Sequence, residues 1–447
     1  MFKRILTLGL CAVLGYLVAL GTLEVVSAWG LSVDRETDNA AARVREVMLL
    51  VNKNSLETEK VKGDELAARA IAGMLQPLDR HSEYLDPESY HQLEEDIGSS
   101  FGGIGVQVEQ DGDQVVVVAP IAGSPGERAG ILRGDVLAKV DGETMAGRKL
   151  SELVGCLRGK PGTTVVLTVF RYEGARAASV AAANKASEVK PAGRGIEFTI
   201  KRELIRVDSV SDVELRPDGI GYVRIVQFGE RTGEEFGKAL EDLKNKGMRA
   251  LVIDLRNNPG GLITAAESVA EPFFNRNEMI VYTQGQRADD PLEYRAKGGG
   301  VRVKVPLAVL INGGSASAAE IVTGALKDTR RAIIVGEKSF GKGSVQTIFP
   351  LRDKAALRLT TARYYTPSGY VIHAKGIEPD LKVTLTPEQE KAVFLRRLRP
   401  DVTDAAEFKA KFGVERVEDL QLDVALKALR DKLGSTPVVS AEHGGAK

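Results

Sequence analysis

The chain has 447 residues, and its 61 lysine and arginine residues balance 61 aspartate and glutamate residues, so the formal net charge is zero. At about 150 residues per domain this length predicts roughly three domains, and a hydrophobic content of 43% is enough for a sizeable core. The balanced charge argues against a general nucleic-acid binder, which carries a basic footprint. The 2 cysteines and 4 histidines show no metal-ligand spacing. We therefore expect no metal, no cofactor and no disulfide framework.

Residues 1–30 have the pattern of an export signal. Lys3 and Arg4 precede an apolar run from Ile5 to Leu23, and small residues at 26–28 offer a cleavage site. The run is about as long as a bilayer-spanning helix, so a retained membrane anchor is the alternative. In both cases the basic flank predicts that the following residues lie outside the cytoplasm, in the periplasm or at the outer face of the inner membrane.

The remaining chain changes character several times. Apolar residues three to four apart predict helices before residue 98, and short β-branched runs between glycine turns predict strands after it. An alanine- and lysine-rich insertion at 175–195 predicts a flexible surface loop. Alternating strands and helices then predict an α/β core. The predicted regions are 31–98 (helical), 99–202 (β-rich), 203–385 (α/β), 386–436 (helical) and 437–447 (a disordered tail).

A pair of serines follows an apolar strand that ends in Gly313-Gly314, and a helix begins directly after them. Ser315 and Ser317 therefore lie at a strand-to-helix turn, where the free amides of a helix amino terminus can stabilise an oxyanion. A hydroxyl group in that position suits nucleophilic acyl transfer. On local sequence alone, the simpler interpretation is that these serines only cap the helix.

A serine nucleophile needs a base, and Lys342 is the candidate. It lies between Gly341 and Gly343, next to apolar strands. Desolvation there would lower the pKa of a lysine from about 10.4 toward neutrality, and the neutral amine can then accept a proton. Gln346, four residues further on, is suitably spaced to hold the amine in position. The alternative is an ordinary exposed lysine in a glycine turn.

A glycine-rich loop at Gly103, Ile104, Gly105 and Val106 is a candidate binding site. Backbone amides in such a loop can bind a terminal carboxylate, while the adjoining strand pairs with an extended peptide. The alternative is a plain glycine-rich hairpin.

Several motifs follow one another in a characteristic order and spacing. They are Leu78–Leu85, Phe101–Gly105, Ser124–Asp135, Asp254–Gly261, the serine turn, Gly341–Gly343 and Tyr365–Gly369. In this order the chain resembles the carboxyl-terminal processing (tail-specific) proteases, which are exported Ser-Lys peptidases with a PDZ domain. The resemblance extends over nearly the whole chain after the amino-terminal segment.

The resemblance implies a crotonase-like α/β protease core with an inserted PDZ domain and helical segments at both ends. It also implies protein carboxyl termini as substrates, and it is compatible with an adaptor or regulatory protein and with a homo-oligomer. It assigns the nucleophile to Ser317, the base to Lys342 and the supporting role to Gln346. The oxyanion donors it implies are the amide of Ala318 and that of either Gly260 or Gly261.

Two other functions compete with this interpretation. A catalytically silent PDZ scaffold would require a broken dyad, yet Ser317, Lys342 and Gln346 are all present. A crotonase-like hydrolase of acyl thioesters conflicts with the export segment, because acyl-CoA substrates are cytosolic. The sequence therefore predicts an exported serine endopeptidase that forms an acyl-enzyme and cleaves proteins near their carboxyl termini.

Overall fold

The computed structural model describes residues 35–434 except 57–61, 80, 112–113, 122, 146, 149, 173–192, 287–290, 301 and 352. The predicted export segment and disordered tail lie outside the described residues. Of the predicted insertion, only residues 193–195 are described, and they form part of a strand rather than a loop. In the described part of the chain, no helix has the length and apolar character needed to cross a bilayer.

The chain divides into two compact units, the first ending at Tyr84 and the second beginning at Leu85. The first unit contains helices α1 (Arg35–Asn54) and α2 (Gly63–Leu75). Strand β1 (Glu83–Leu85) follows them. These elements confirm helices in the predicted amino-terminal region. Helix α1 has no buried residue, and the side chains of Val44, Val47, Leu49 and Leu50 are exposed.

The second unit begins with helix α3 and a β-rich region. A five-strand path in the order β3-β4-β5-β7-β8 surrounds an apolar core that includes Ile104, Leu153 and Leu167. Strands β2 and β9 pair separately, as a ribbon on which the chain enters and leaves this region. The elements are α3 (Pro87–Ile97), β2 (Ser100–Gly103), β3 (Val106–Asp111), β4 (Gln114–Pro120), α4 (Pro125–Ala129), β5 (Val136–Val140), β6 (Glu143–Thr144), α5 (Leu150–Leu157), β7 (Thr164–Tyr172), β8 (Gly193–Lys201) and β9 (Glu203–Arg206).

The α/β region contains two sheets. Its elements are β10 (Val210–Leu215), β11 (Ile220–Ile225), α6 (Thr232–Asn245), β12 (Ala250–Asp254), α7 (Ile263–Ala270), β13 (Met279–Gly285), β14 (Leu292–Arg295), β15 (Leu307–Ile311), α8 (Ala318–Asp328), β16 (Ile333–Gly336), β17 (Ser344–Pro350), β18 (Ala356–Tyr365) and β19 (Leu381–Lys382). The first sheet has the order β10-β11-β12-β15-β16-β19. All of its neighbouring strands are parallel except β10 and β11. In the second sheet β17 and β13 pair antiparallel with β18, and β14 pairs antiparallel with β13.

Helices cover both faces of the first sheet. Alternate strand residues point to opposite faces, and Val223, Ile253 and Val309 pack with α6, α7 and α8. The other face packs against the last of three carboxyl-terminal helices, α9 (Pro387–Leu398), α10 (Ala405–Phe412) and α11 (Leu420–Gly434). Strands β12 and β15 are buried along their whole length as a result, which is typical of parallel strands covered on both sides. Helix α11 therefore completes the α/β core.

A buried ion cluster joins the end of β12 to the chain before α11. Arg256 binds Asp254 (Nη2–Oδ2 2.7 Å) and both carboxylate oxygens of Asp419 (2.7 and 2.8 Å). Arg397 and Tyr222 also contact the Asp254 carboxylate. Burial alone would raise the pKa of Asp254, but Arg256, Arg397 and Tyr222 together outweigh it and hold that pKa well below its usual range. The cluster anchors the turn that follows β12.

Candidate active site

The two serines occupy the connection between β15 and α8, as their sequence context predicts. Ser315 is fully buried. Its Oγ donates to the Leu255 carbonyl (2.7 Å) and accepts from the Asn312 amide (3.0 Å). One bond joins Ser315 to the start of its own turn, and the other joins the turn to the residue after β12. Ser315 therefore has a structural role. Its hydroxyl is not available for attack on a substrate.

Ser317 immediately precedes α8 and has an unusual backbone conformation, with φ 54° and ψ −115°. A positive φ is uncommon for a residue other than glycine and costs energy, and such strain is found at nucleophile turns between a strand and a helix. Its amide donates to Oε2 of Glu320 at 2.9 Å. This bond compensates for part of the strain and keeps Ser317 at the helix start.

Glu320 is not among the residues predicted from the sequence, yet it connects the two predicted catalytic residues. Its fully buried carboxylate accepts the amides of Ser317 and Lys342 on Oε2 (2.9 and 2.8 Å). On Oε1 it accepts the Ser339 hydroxyl (2.5 Å) and the Gly341 amide (2.7 Å). These donors satisfy a buried charge that would otherwise be costly. The available sequence signal was the capping-box spacing of Ser317 and Glu320.

Lys342 lies in the loop between β16 and β17, and its side chain is half-buried. The following residue must be glycine, because a Cβ on Gly343 would lie 2.2 Å from the backbone nitrogen of His373. Gln346 is half-buried in β17, opposite Thr360 of β18. Glu320 thus holds the Lys342 backbone beside the serine turn, and β17 continues from it to Gln346.

The turn after β12 packs directly against the nucleophile candidate. A Cβ on Gly260 would lie 2.7 Å from the Ser317 Cβ and 2.8 Å from the Ala318 nitrogen, so only glycine fits. The Gly260 amide donates to the side-chain Oδ1 of Asn258 (2.8 Å). The Ala316 amide donates to the backbone carbonyl of Asn258 (2.9 Å). These bonds make the glycine turn and the serine turn one rigid unit.

Among the described residues, the amides of Gly261 in the glycine turn and of Ala318 at the start of α8 have no acceptor. The residues on either side of Gly261 bind Phe228. The Phe228 amide donates to the Gly260 carbonyl (2.9 Å), and the Leu262 amide donates to the Phe228 carbonyl (2.7 Å). The Ala318 amide is in the first turn of α8, where a helix supplies no acceptor. Of the two predicted glycines, Gly261 is therefore the one with an available donor.

The predicted tail-binding loop connects β2 to β3. Gly103 ends β2 and Val106 begins β3. The Ile104 side chain is buried in the β-rich core, and its carbonyl accepts from the Gly126 amide. Gly105 has φ +71°, and its carbonyl accepts from Ser124 Oγ. Within the described ranges the amides of Ile104 and Gly105 have no acceptor. The loop therefore presents two hydrogen-bond donors just before the first residue of β3.

Comparison with known proteins identifies the family. A model of peptidase family S41 matches residues 219–383, and a PDZ domain model matches residues 116–171. The carboxy-terminal-processing protease of Bartonella bacilliformis is 40% identical over 385 residues, which cover 83% of this chain and 84% of that protein. The chain belongs to the carboxy-terminal processing proteases of peptidase family S41.

A second relative agrees with this assignment. Carboxy-terminal processing protease CtpA of Bacillus subtilis is 37% identical over 342 residues, covering 75% of this chain and 68% of that protein. The structure of a photosystem II D1 C-terminal processing protease is 30% identical, covers 76% of this chain and 92% of that chain, and superposes with a TM-score of 0.43. The predicted family, α/β protease core, PDZ domain and serine-peptidase class are confirmed, and proteins are the substrates. The boundaries at 99–202 and 203–385 remain predictions.

We expect Glu320→Gln to lower kcat by about tenfold to a hundredfold. The neutral amide has a single acceptor oxygen and directs its NH₂ group at backbone amides, so the serine and lysine turns lose a shared anchor. The measurement is kcat for a peptide substrate, together with the melting temperature. Glu388→Gln, on the exposed start of α9, is the matched control and should leave both unchanged. Unchanged kcat in Glu320→Gln would contradict a positioning role.

Proposed function

We propose that this carboxy-terminal processing protease is an exported serine endopeptidase that uses a Ser317–Lys342 dyad. The observation that carries the proposal is the Glu320 carboxylate, which binds the amides of both residues with one oxygen atom. Ser315 is a poor alternative because both of its hydrogen bonds are structural. Ser317 is then the candidate nucleophile, because it lies at the amino terminus of α8.

In the proposed reaction, Ser317 Oγ attacks the carbonyl carbon of the scissile bond while Lys342 Nζ takes the hydroxyl proton. The lysine passes this proton to the leaving nitrogen as the C–N bond breaks, which leaves an ester on Ser317. Water then attacks the ester, giving a proton to Lys342, and the lysine returns it to the departing Oγ. Gln346 orients the lysine amine, and no metal or cofactor takes part.

The proposed oxyanion hole consists of the Ala318 and Gly261 amides. Negative charge develops on the carbonyl oxygen at both tetrahedral stages, and preorganised amide donors stabilise it. Gly260 contributes differently. Its own amide is bonded to Asn258, but its missing side chain lets the turn approach Ser317.

Capture of the substrate tail is proposed for the loop at 103–106. The free amides of Ile104 and Gly105 suit a terminal carboxylate, and β3 is at the edge of its sheet, so an extended peptide can pair with it. The scissile bond lies upstream of the captured end, because the loop and Ser317 belong to different domains. Export to the periplasm or the outer face of the inner membrane is proposed from the sequence of residues 1–30.

We expect amidation of a substrate's carboxyl terminus to lower kcat/KM by about tenfold or more. A charge-assisted contact to backbone amides contributes roughly 1.5–3 kcal/mol, and each 1.4 kcal/mol is about a factor of ten. The measurement is cleavage of matched acid and amide peptides, with mass spectrometry to locate the cut. An amino-terminally acetylated peptide is the control, because it loses one charge at the other end and should be cleaved normally.

Peptides are a cleaner test than a substitution in the loop. A Cβ on Gly105 would lie 2.3 Å from the Ser124 Cβ, and the positive φ adds strain, so a side chain there would disrupt the loop itself. Equal cleavage of the acid and amide peptides would mean that the PDZ domain serves regulation or partner binding instead of tail recognition.

A further inference from the structure

The proposed oxyanion donor Gly261 is held by a residue of a neighbouring segment. Phe228 lies in the connection between β11 and α6, and its backbone binds the residues on both sides of Gly261 (2.9 and 2.7 Å). A Cβ on Gly261 would lie 2.1 Å from the Phe228 carbonyl oxygen, so the two backbones are in direct contact. A shift of Phe228 would therefore move the Gly261 amide.

The same connection is held on its other side by the residues just before β2, at the base of the β2–β9 ribbon. Gln227 Nε2 donates to Ser99 Oγ at 3.0 Å, and the Glu230 amide donates to the Ile97 carbonyl at 3.2 Å. The approach is close, because a Cβ on Gly229 would lie 1.9 Å from Ser99 Oγ. The connection thus lies between the ribbon and the glycine turn and is bonded to both.

A buried pair of serine hydroxyls gives Gln227 a fixed partner. Ser99 Oγ lies 3.3 Å from Ser209 Oγ, and both serines are buried, where hydroxyl groups need hydrogen-bond partners. The Ser209 carbonyl also accepts from the Val226 amide (2.8 Å). The bond from Gln227 to Ser99 therefore fixes the residue directly before Phe228.

We propose that Gln227 and Ser99 are positioning residues for the oxyanion hole. Their hydrogen bond holds Phe228, and through it the Gly261 amide, in the place that the substrate's carbonyl oxygen requires. Oxyanion stabilisation depends on donors that are already in position when the charge develops. The proposal needs no contact between either side chain and the substrate. This inference rests on the proposed oxyanion hole of Ala318 and Gly261.

Gln227→Met and Ser99→Ala each remove this hydrogen bond, and methionine keeps the length of the side chain. Loss of a whole oxyanion donor costs about 10²–10³-fold in kcat. A displaced donor costs less, so we expect kcat to fall by about tenfold in each variant, with KM unchanged. The double variant should be no slower than the slower single variant, because both substitutions remove the same bond.

The value of kcat is expressed per active site, and active sites are counted by labelling with a fluorophosphonate. A purely structural role would lower the melting temperature and the number of active sites, but kcat per site would stay at the wild-type value. Gln92→Met is the matched control, because Gln92 is exposed on α3. Its kcat per site should equal that of the wild type.

A peptide aldehyde tests the oxyanion hole directly. Ser317 Oγ adds to the aldehyde carbon, the serine proton passes to Lys342, and the former carbonyl oxygen lies in the oxyanion hole. Such an adduct resembles the tetrahedral stage and depends on the same donors. The aldehyde should therefore bind Gln227→Met and Ser99→Ala about tenfold more weakly than the wild type.

Wild-type kcat per site in both Gln227→Met and Ser99→Ala would overturn the proposal. A lower kcat with unchanged aldehyde affinity would also overturn it, because the defect would then lie outside the oxyanion hole. Ser317→Ala separates these results from the proposed function. Persistent fluorophosphonate labelling of Ser317→Ala would reject the serine assignment itself, whereas loss of that labelling leaves the outcome to Gln227 and Ser99.

Discussion

Ser317→Ala is expected to lower peptide hydrolysis by about 10³-fold or more while the protein remains folded. The substitution removes the attacking oxygen, and loss of a nucleophile is among the most damaging changes in serine peptidases. The Ser317 backbone amide donates a hydrogen bond to the Glu320 carboxylate, and alanine retains this bond. The positive φ strains any residue that has a Cβ, so alanine adds little to the strain that serine already has. Activity on a peptide substrate and a thermal melting curve measure the two effects separately.

Ser315→Ala is the matched control, with the opposite pattern. It leaves the Asn312 amide without its buried acceptor and removes one of the donors to the Leu255 carbonyl, so we expect a loss of about 1–3 kcal/mol in the free energy of unfolding. The nucleophile is still present, and substantial activity should remain below the melting temperature. Equal loss of activity in both variants, with normal melting curves, would contradict the assignment of Ser317.

Lys342→Arg is expected to be inactive, with a loss of about 10³- to 10⁴-fold in kcat, as for removal of the base from other dyads and triads. Arginine remains protonated at any workable pH, so it cannot accept the serine proton even where it fits. The measurement is kcat across the pH range in which the protein is folded. Lys338→Arg is the control, because Lys338 is exposed, pairs with Glu378 at 2.9 Å and should tolerate arginine.

Near-normal turnover by Lys342→Arg would show that another residue activates the serine. His373 would then be the first residue to test. Its backbone packs against Gly343, and within the described part of the chain its Nδ1 is buried without a hydrogen-bond partner.

The sequence by itself determined the family, the enzyme class and the positions of the main elements. The helix predicted directly after the two serines, observed as α8, and the alternation of strands and helices predicted for the α/β core are examples. Such elements are encoded by local periodicity and turn residues, so a window of a few residues is enough to find them. The serine turn was identified in the same way, because the end of a strand, two glycines and a helix start are adjacent in the chain.

Only the tertiary structure decided which groups meet at that turn. Gly260 and Gly261 are equivalent oxyanion-donor candidates in the local sequence. The structure distinguishes them, because the Gly260 amide already donates to Asn258. Glu320 meets the loop of Lys342, 22 residues away, and Asp419 reaches Arg256 across 163 residues. The physical reason is that a buried polar group must be satisfied by whichever donor or acceptor the fold brings to it. That partner comes from packing between distant segments, which the local sequence pattern does not encode.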